Sequence, residues 1–275
     1  MKIYKNEKLI TAEVLPTKQN LAKCFKKGNF LNKPTILMTV KSKLLKLISD
    51  PLGVLQNRIN YFRSILRYKS KYGYRAEEYW QERHTKYGFD LRGVGAFDMT
   101  QEQNQQILDE GGRLMLELCS HENINLEEVS MLDVGCGTGF YAEIFQNAGG
   151  KKYLGIDIVD VLFDGLRLRF RDFNFKKVDV STQEIPSFYD LIIMMDVAQH
   201  ITDDGKFRYA MENIKIHLNP KGVIIISTSI GSYKRHSFYN VTRPLTVFEE
   251  VFKGYRISEP LPFCGNKMFS IRKID

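Results

Sequence analysis

The chain of 275 residues is 43% hydrophobic and 12% aromatic, enough to bury one substantial core in one domain or two, and too apolar for a disordered polymer. Its longest apolar runs, Leu191 to Met195 and Val223 to Ile226, fall far short of the roughly 20 residues of a membrane-spanning helix, and Met1-Lys2-Ile3-Tyr4-Lys5-Asn6-Glu7 has neither the apolar core nor the cleavage site of a secretory signal, so a cytoplasmic location is expected. The charge is uneven: Met1 to Arg75 carries 17 Lys+Arg against 3 Asp+Glu, and the remaining 200 residues carry 23 against 29, a basic front on a mildly acidic body.

The front, residues 1–75, is predicted to be a mostly helical extension. Ile36 to Ile48 has helical spacing, with Leu44, Leu45, Leu47 and Ile48 among Lys41, Lys43 and Lys46, and Pro51 interrupts it. Beyond the proline, Leu55, Ile59, Phe62 and Leu66 recur at steps of four, three and four, with Arg58, Arg63 and Arg67 on other faces, which predicts an amphipathic basic helix. Such a front suits a solvated face, a handle for anionic membrane or a nucleic-acid arm. Aromatics are sparse before Tyr61, which argues against base-stacking platforms and leaves nucleic acid the weaker choice.

The remainder, residues 76–275, is predicted to form one catalytic domain: a cover and helix over 76–125 and an α/β core over 131–275. The glycine-punctuated, aromatic stretch from Tyr72 to Met99 reads as a loop-rich cover. Thr100 and Gln103 form a capping-box pattern, followed by Ile107, Leu108, Leu114, Met115 and Leu118 on one helical face. From Met131 onward short apolar runs alternate with helical patterns, the signature of a parallel sheet covered on both faces. The predicted strands are Met131 to Gly135, Lys152 to Asp157, Phe175 to Val178, Asp190 to Met195 and Gly222 to Thr228. Helices are predicted between Thr202 and Leu218 and near Leu245 to Phe252. The last two strands, Tyr255 to Ser258 and Lys267 to Arg272, are predicted to pair antiparallel.

The chemistry concentrates at the first strand's end. Gly135, Gly137 and Gly139 follow Asp133, a glycine loop whose backbone N–H groups can approach a ligand closely. Alone it allows a dinucleotide or another adenosyl ligand, and the plainer reading is a simple strand-to-helix turn. Asp157 closes the second strand, where two carboxylate oxygens can accept both hydroxyls of a ribose. Asp179 follows the third, in reach of an adenine amino group. Cys24, Cys119, Cys136 and Cys264 show no metal-ligand spacing, so neither zinc nor a disulfide framework is expected.

These residues resemble the class I S-adenosylmethionine (SAM)-dependent methyltransferases over about Met131 to Ile274. Leu132-Asp133-Val134-Gly135-Cys136-Gly137-Thr138-Gly139 matches their first motif, Gly155-Ile156-Asp157-Ile158 the second and Val178-Asp179-Val180 the third. The stretch Asp190 to Ile201 matches the fourth, and Leu218-Asn219-Pro220-Lys221-Gly222-Val223 the turn before the fifth strand. The resemblance implies a Rossmann-like sheet of seven strands with the last antiparallel, and SAM across the carboxyl ends of its strands, giving S-adenosylhomocysteine as product. It implies that Asp133, Gly135, Cys136, Gly137 and Gly139 form the cofactor loop and that Asp157 and Ile158 hold the ribose. Asp179 and Val180 would border the adenine, and Asp196 and Val197 the sulfonium. His200 falls where quinone-biosynthesis O-methyltransferases of this family place a histidine near the methyl group, although Asp196 and Gln199 stand here for two glutamates. A base role and a structural, helix-capping role both stay open.

Residues flanking the core, Trp80, Arg83, His84 and Tyr87 before it and His236, Tyr239 and Arg243 after it, suit a substrate cover. The fourth motif is not Asp/Asn-Pro-Pro-Tyr/Phe, no Pro-Cys nucleophile is present and the paired-glutamate loop of protein-arginine enzymes is missing, which leaves a small molecule. Tyr79-Trp80-x-x-Arg83-His84 with Leu91-Arg92-Gly93-Val94-Gly95 resembles methyltransferases of polysaccharide and surface-glycan assembly. The expectation is O-methylation of a sugar, a glycan or its phosphoryl substituent, beside the inner face of the membrane. The alternatives are an RNA or ribonucleoprotein methyltransferase and a non-catalytic SAM-binding protein.

Overall fold

The computed structural model describes residues 51–71, 73–96 and 99–274. The helix predicted over Ile36–Ile48 and most of the basic front lie outside them. Helix α1 (Pro51–Tyr68) leads into a short hairpin of β1 (Lys69–Ser70) and β2 (Gly73–Tyr74), then α2 (Ala76–Tyr87). The predicted stripe on α1 exists and faces away from the body: Leu55 is 55%, Phe62 67% and Leu66 79% exposed. The helix packs by a second stripe. Tyr61 and Tyr68 lie 6.1 and 6.3 Å from the Phe238 ring, and Ile65 packs on the same cluster. The same three-and-four spacing serves both faces, because 61, 65 and 68 repeat as regularly as 55, 59, 62 and 66. α1 and the sheet fall in one compact unit.

The predicted loop-rich cover contains a twelve-residue helix, α2, whose buried residues are Arg83 and His84. Its buried face is polar and aromatic, so apolar periodicity does not reveal it. α3 (Gln101–His121) begins as predicted: Thr100 accepts from the Gln103 N–H at 3.2 Å while Gln103 accepts from the Thr100 N–H at 2.9 Å.

The core alternates β3 (Ser130–Val134), α4 (Phe140–Asn147), β4 (Lys152–Asp157), α5 (Phe163–Arg169), β5 (Asn174–Lys177), β6 (Tyr189–Met195), α6 (Asp204–Ile216) and β7 (Leu218–Thr228). A hairpin of β8 (Lys234–Ser237) and β9 (Asn240–Thr242) follows, then α7 (Thr246–Val251), β10 (Tyr255–Ile257), β11 (Leu261–Phe263) and β12 (Asn266–Lys273). The sheet runs β10-β12-β7-β6-β3-β4-β5, with β7 to β5 parallel and β12 antiparallel to both β7 and β10. β11 adds an eighth strand on β12; three residues with Pro262 in the middle carry too little alternation to be read from sequence.

Strand alternation assigns the two faces. Met131, Leu191, Ile193, Val223 and Ile225 pack under α3, α4 and α5 with Met115, Phe145 and Leu166. Leu132, Ile192, Met194, Ile224 and Ile226 pack under α6 and α7 with Phe207, Met211, Ile214 and Phe248. Every parallel strand therefore delivers its carboxyl end to one edge, where the connecting loops gather.

Candidate active site

A cavity of about 480 Å³ opens at that edge, between the loops after β3, β4, β5 and β6 and the cover formed by α2, the segment after it and the β8–β9 hairpin. That is ample for a nucleoside-sized ligand with a small second molecule. The glycine loop forms its floor. Gly135 and Gly137 have φ of +78° and +47°, and a Cβ on Gly135 would stand 2.3 Å from Val197 Cγ2, so only glycine fits. The Gly137 N–H donates to Asp157 Oδ2 at 3.1 Å and the Val159 N–H to Oδ1 at 3.2 Å. Each oxygen keeps a second lone pair for a hydroxyl. Burial raises the Asp157 carboxyl to about 6, so two further donors from a ligand would favour its ionised form.

Asp196 occupies a left-handed backbone conformation, φ +55°, a strain of about 1–3 kcal/mol for such a residue. Three donors hold its Oδ1: Asn266 Nδ2 at 2.8 Å, Ser227 Oγ at 3.0 Å and Gln199 Nε2 at 3.4 Å. Cys136, Ile158, Asp179, Val180 and Val197 also line the cavity. Asp179 has one carboxylate oxygen engaged by the Ser181 N–H and hydroxyl at 3.0 and 2.6 Å.

Two of the predicted cofactor residues sit behind the wall. Asp133 alternates into the α3–α4 layer, where it accepts from the Tyr153 hydroxyl at 2.7 Å, and burial raises its carboxyl to about 7. Gly139 is the left-handed cap of α4; a Cβ there would lie 2.6 Å from Leu166 Cδ2, so it serves the packing of α4 on α5.

The cover side is built around His200, in a 3-10 turn over Ala198–His200. Its Nδ1 lies 2.7 Å from the Tyr239 carbonyl oxygen. A carbonyl only accepts, so Nδ1 carries the hydrogen and Nε2 the lone pair. The ring sits edge-on to Trp80 at 5.2 Å and parallel to Tyr239 at 5.6 Å, and burial lowers its pKa to about 4, so the imidazole is neutral at pH 7. His84, also on the wall, is held near 4 by burial and by Arg83.

The remaining predicted substrate residues divide. Trp80 and Tyr239 line the cavity. Arg83 lines it too, but its guanidinium holds the loop after α2, donating to the carbonyls of Arg92, at 2.8 Å, and Gly95. Arg243 is buried: it pairs with Asp204 at 2.8 Å, donates to the Ile201 carbonyl at 2.8 Å and lies 4.1 Å from the Phe207 ring. It clamps the segment that carries His200 and is absent from the wall. Tyr87 is engaged outside the cavity by Lys86 and Arg92. His236 is exposed, 2.7 Å from the Thr242 hydroxyl. Motif and flank reasoning missed Asn240, Cys264 and Asn266, which reach the wall from hairpins with no motif of their own. Among the described residues, the buried side-chain oxygens of Gln199, Thr202 and Asn240 have no hydrogen-bond partner. All three residues line the cavity.

A doubly wound sheet with a glycine loop and acids at successive strand ends defines the adenosyl-binding α/β class. The methyltransferase-domain family profile matches residues 100–242, 143 of the 275 residues. The chain belongs to that family, with the fold of its class I SAM-dependent branch. The ubiquinone biosynthesis O-methyltransferase of Rhodopseudomonas palustris is 26% identical over 113 residues, 40% of this chain and 43% of that protein. The malonyl-(acyl-carrier protein) O-methyltransferase of Acetivibrio thermocellus is 28% identical over 159 residues, 56% of this chain and 51% of that one. This chain thus spans about half the length of the curated relatives it matches. In fold, the magnesium protoporphyrin IX methyltransferase of Synechocystis PCC 6803 superimposes with a TM-score of 0.57 at 14% identity, over 72% of this chain and 98% of that chain.

Proposed function

We propose that this protein transfers a methyl group from SAM to an oxygen of a small, polar, uncharged acceptor, with a sugar or surface glycan as the favoured class. The carrying observation is His200: a neutral imidazole on the wall, its hydrogen committed to the Tyr239 carbonyl and Nε2 left basic. The relatives named above are O-methyltransferases, which supports oxygen as the acceptor atom. Bound SAM supplies an electrophilic methyl group on a sulfonium. The glycine loop, Asp157 and the Asp179–Val180 pair provide a backbone floor, a ribose acceptor and an adenine border, while Asp196 and Val197 close the far end. Orientation of that kind is worth roughly 7–11 kcal/mol of barrier.

A base with a pKa near 4 is weak. It takes a proton readily only once the acceptor oxygen has been made acidic by bonding to the methyl carbon, so proton removal by His200 follows bond formation closely. Trp80 and Tyr239 add aromatic surface to the wall, and the unpartnered oxygens of Gln199, Thr202 and Asn240 call for donors such as hydroxyls. Arg83 and Arg243 are committed to carbonyls and to Asp204, which favours a hydroxyl over a phosphoryl acceptor.

The test is incubation with methyl-labelled SAM and fractionated small-molecule and glycan extracts, beside melting curves with S-adenosylhomocysteine. Cofactor at about 100 times its Kd should stabilise the fold by about 2.7 kcal/mol, and label should enter a hydroxylated fraction in an ether linkage. No thermal shift would remove the cofactor assignment; a shift with label only in RNA or protein would remove the acceptor assignment.

A further inference from the structure

We propose that α1 docks the protein on an anionic lipid surface, lying in the plane of the interface with the stripe Leu52, Leu55, Ile59, Phe62 and Leu66 inserted. At about 100° per residue these five fall within an arc of roughly 80°, and they are 78, 55, 39, 67 and 79% exposed. The body claims a different arc of the helix, that of Tyr61, Ile65 and Tyr68. Five large apolar side chains aligned outward on one helix form a patch, unlike apolar residues scattered singly over a surface.

The charge around the stripe selects its occupant. Arg58 and Arg63 are exposed on either side of it, and from Pro51 to Arg75 the sequence holds six Lys+Arg and no Asp or Glu. A second copy of the chain would bring like charges together. A nucleic acid would engage the cations and leave the five apolar side chains in water. An anionic bilayer interface satisfies both at once, with the stripe at the level of the acyl chains and the arginines among the headgroups. Among the described residues no helix is long and apolar enough to cross the bilayer, and α1 is proposed to lie on it.

The test is co-sedimentation of the full chain with phosphatidylcholine vesicles and with vesicles that also contain phosphatidylglycerol. Binding should be at least about tenfold tighter to the anionic vesicles and should weaken with salt. Leu55→Gln with Phe62→Gln should lower it about tenfold or more. Arg58→Gln with Arg63→Gln should lower it roughly thirtyfold, from about 1 kcal/mol per arginine. Phe62→Trp should show blue-shifted emission on the anionic vesicles alone. All these positions are exposed, so melting temperatures should hold. Binding unchanged in both double variants would overturn the proposal by placing the contact outside α1. It would equally fall if light scattering showed a dimer broken by Phe62→Gln, or if polyuridylate bound more tightly than the anionic vesicles.

Discussion

His200 is fixed by groups distant in sequence: the Tyr239 carbonyl sets its tautomer, Trp80 packs its edge, and Arg243 ties the carbonyls of Ala198 and Ile201, on either side of it, to Asp204 of α6. His200→Ala should lower kcat by about 10²- to 10⁴-fold with the Kd for S-adenosylhomocysteine unchanged by calorimetry; an equal loss in cofactor affinity would make it structural. Burial places its pKa near 4, so the acid limb of kcat/KM should fall near pH 4 instead of near 6.5. Asp196 was implied by the resemblance of the fourth motif, and Asp157 was legible because its position is a matter of counting from an apolar run. Arg243 was not: its partners Asp204 and Ile201 lie about forty residues earlier, and a sequence shows a guanidinium without showing what it is bonded to.

Among the elements, α3 was legible from its cap and apolar face, and α2 was hidden because what it buries is an arginine and a histidine. The C-terminal end of α3 is tied to the sheet by Glu122. Its carboxylate accepts from the Ser270 hydroxyl and from Arg256, both at 2.6 Å, and pairs with Arg272 at 3.5 Å. Burial pushes that carboxyl up, and the Ser270 and Arg256 contacts outweigh it and hold it below its ordinary value. The contribution is therefore complete above the ordinary carboxylate range and lost as pH falls through the lowered value. Glu122→Gln should cost about 2–3 kcal/mol in urea unfolding at pH 7, with the difference from the parent shrinking under acid; a constant difference would show that packing, not charge, is lost. No local pattern marks this tie, since its partners are more than 130 residues apart.

Across the whole molecule, buried titratable groups oppose one another. His84 and His200 fall from 6.5 to about 4 in the folded state, so between those values the unfolded chain binds more protons and stability declines as pH is lowered. Asp133 and Asp157 rise from 3.8 to about 7 and about 6, so there the native state binds more protons and stability grows as pH is lowered. The unliganded protein should show a shallow dependence of melting temperature between pH 6.5 and 4.5, and Asp157→Asn, which removes one opposing group, a steeper loss on acidification. Parallel profiles for the two would contradict the linkage. The strand order was not read from the sequence; the antiparallel last strand and the use of the parallel strands' carboxyl ends were implied by the resemblance of the motifs. Which face of α1 meets the body was not, because two stripes of equal regularity compete for it and only the tertiary contact with Phe238 decides.

That contact has a kinetic meaning. Tyr61 and Tyr68 rest on Phe238, and the next residue, Tyr239, supplies both a ring on the cavity wall and the carbonyl that orients His200. A helix resting on lipid would therefore hold the reaction chamber one helix diameter, roughly 10–12 Å, and one aromatic side chain from the membrane plane. For an acceptor confined to the same leaflet, supply is governed by molecules per unit area and by lateral diffusion, so KM is then properly a surface density.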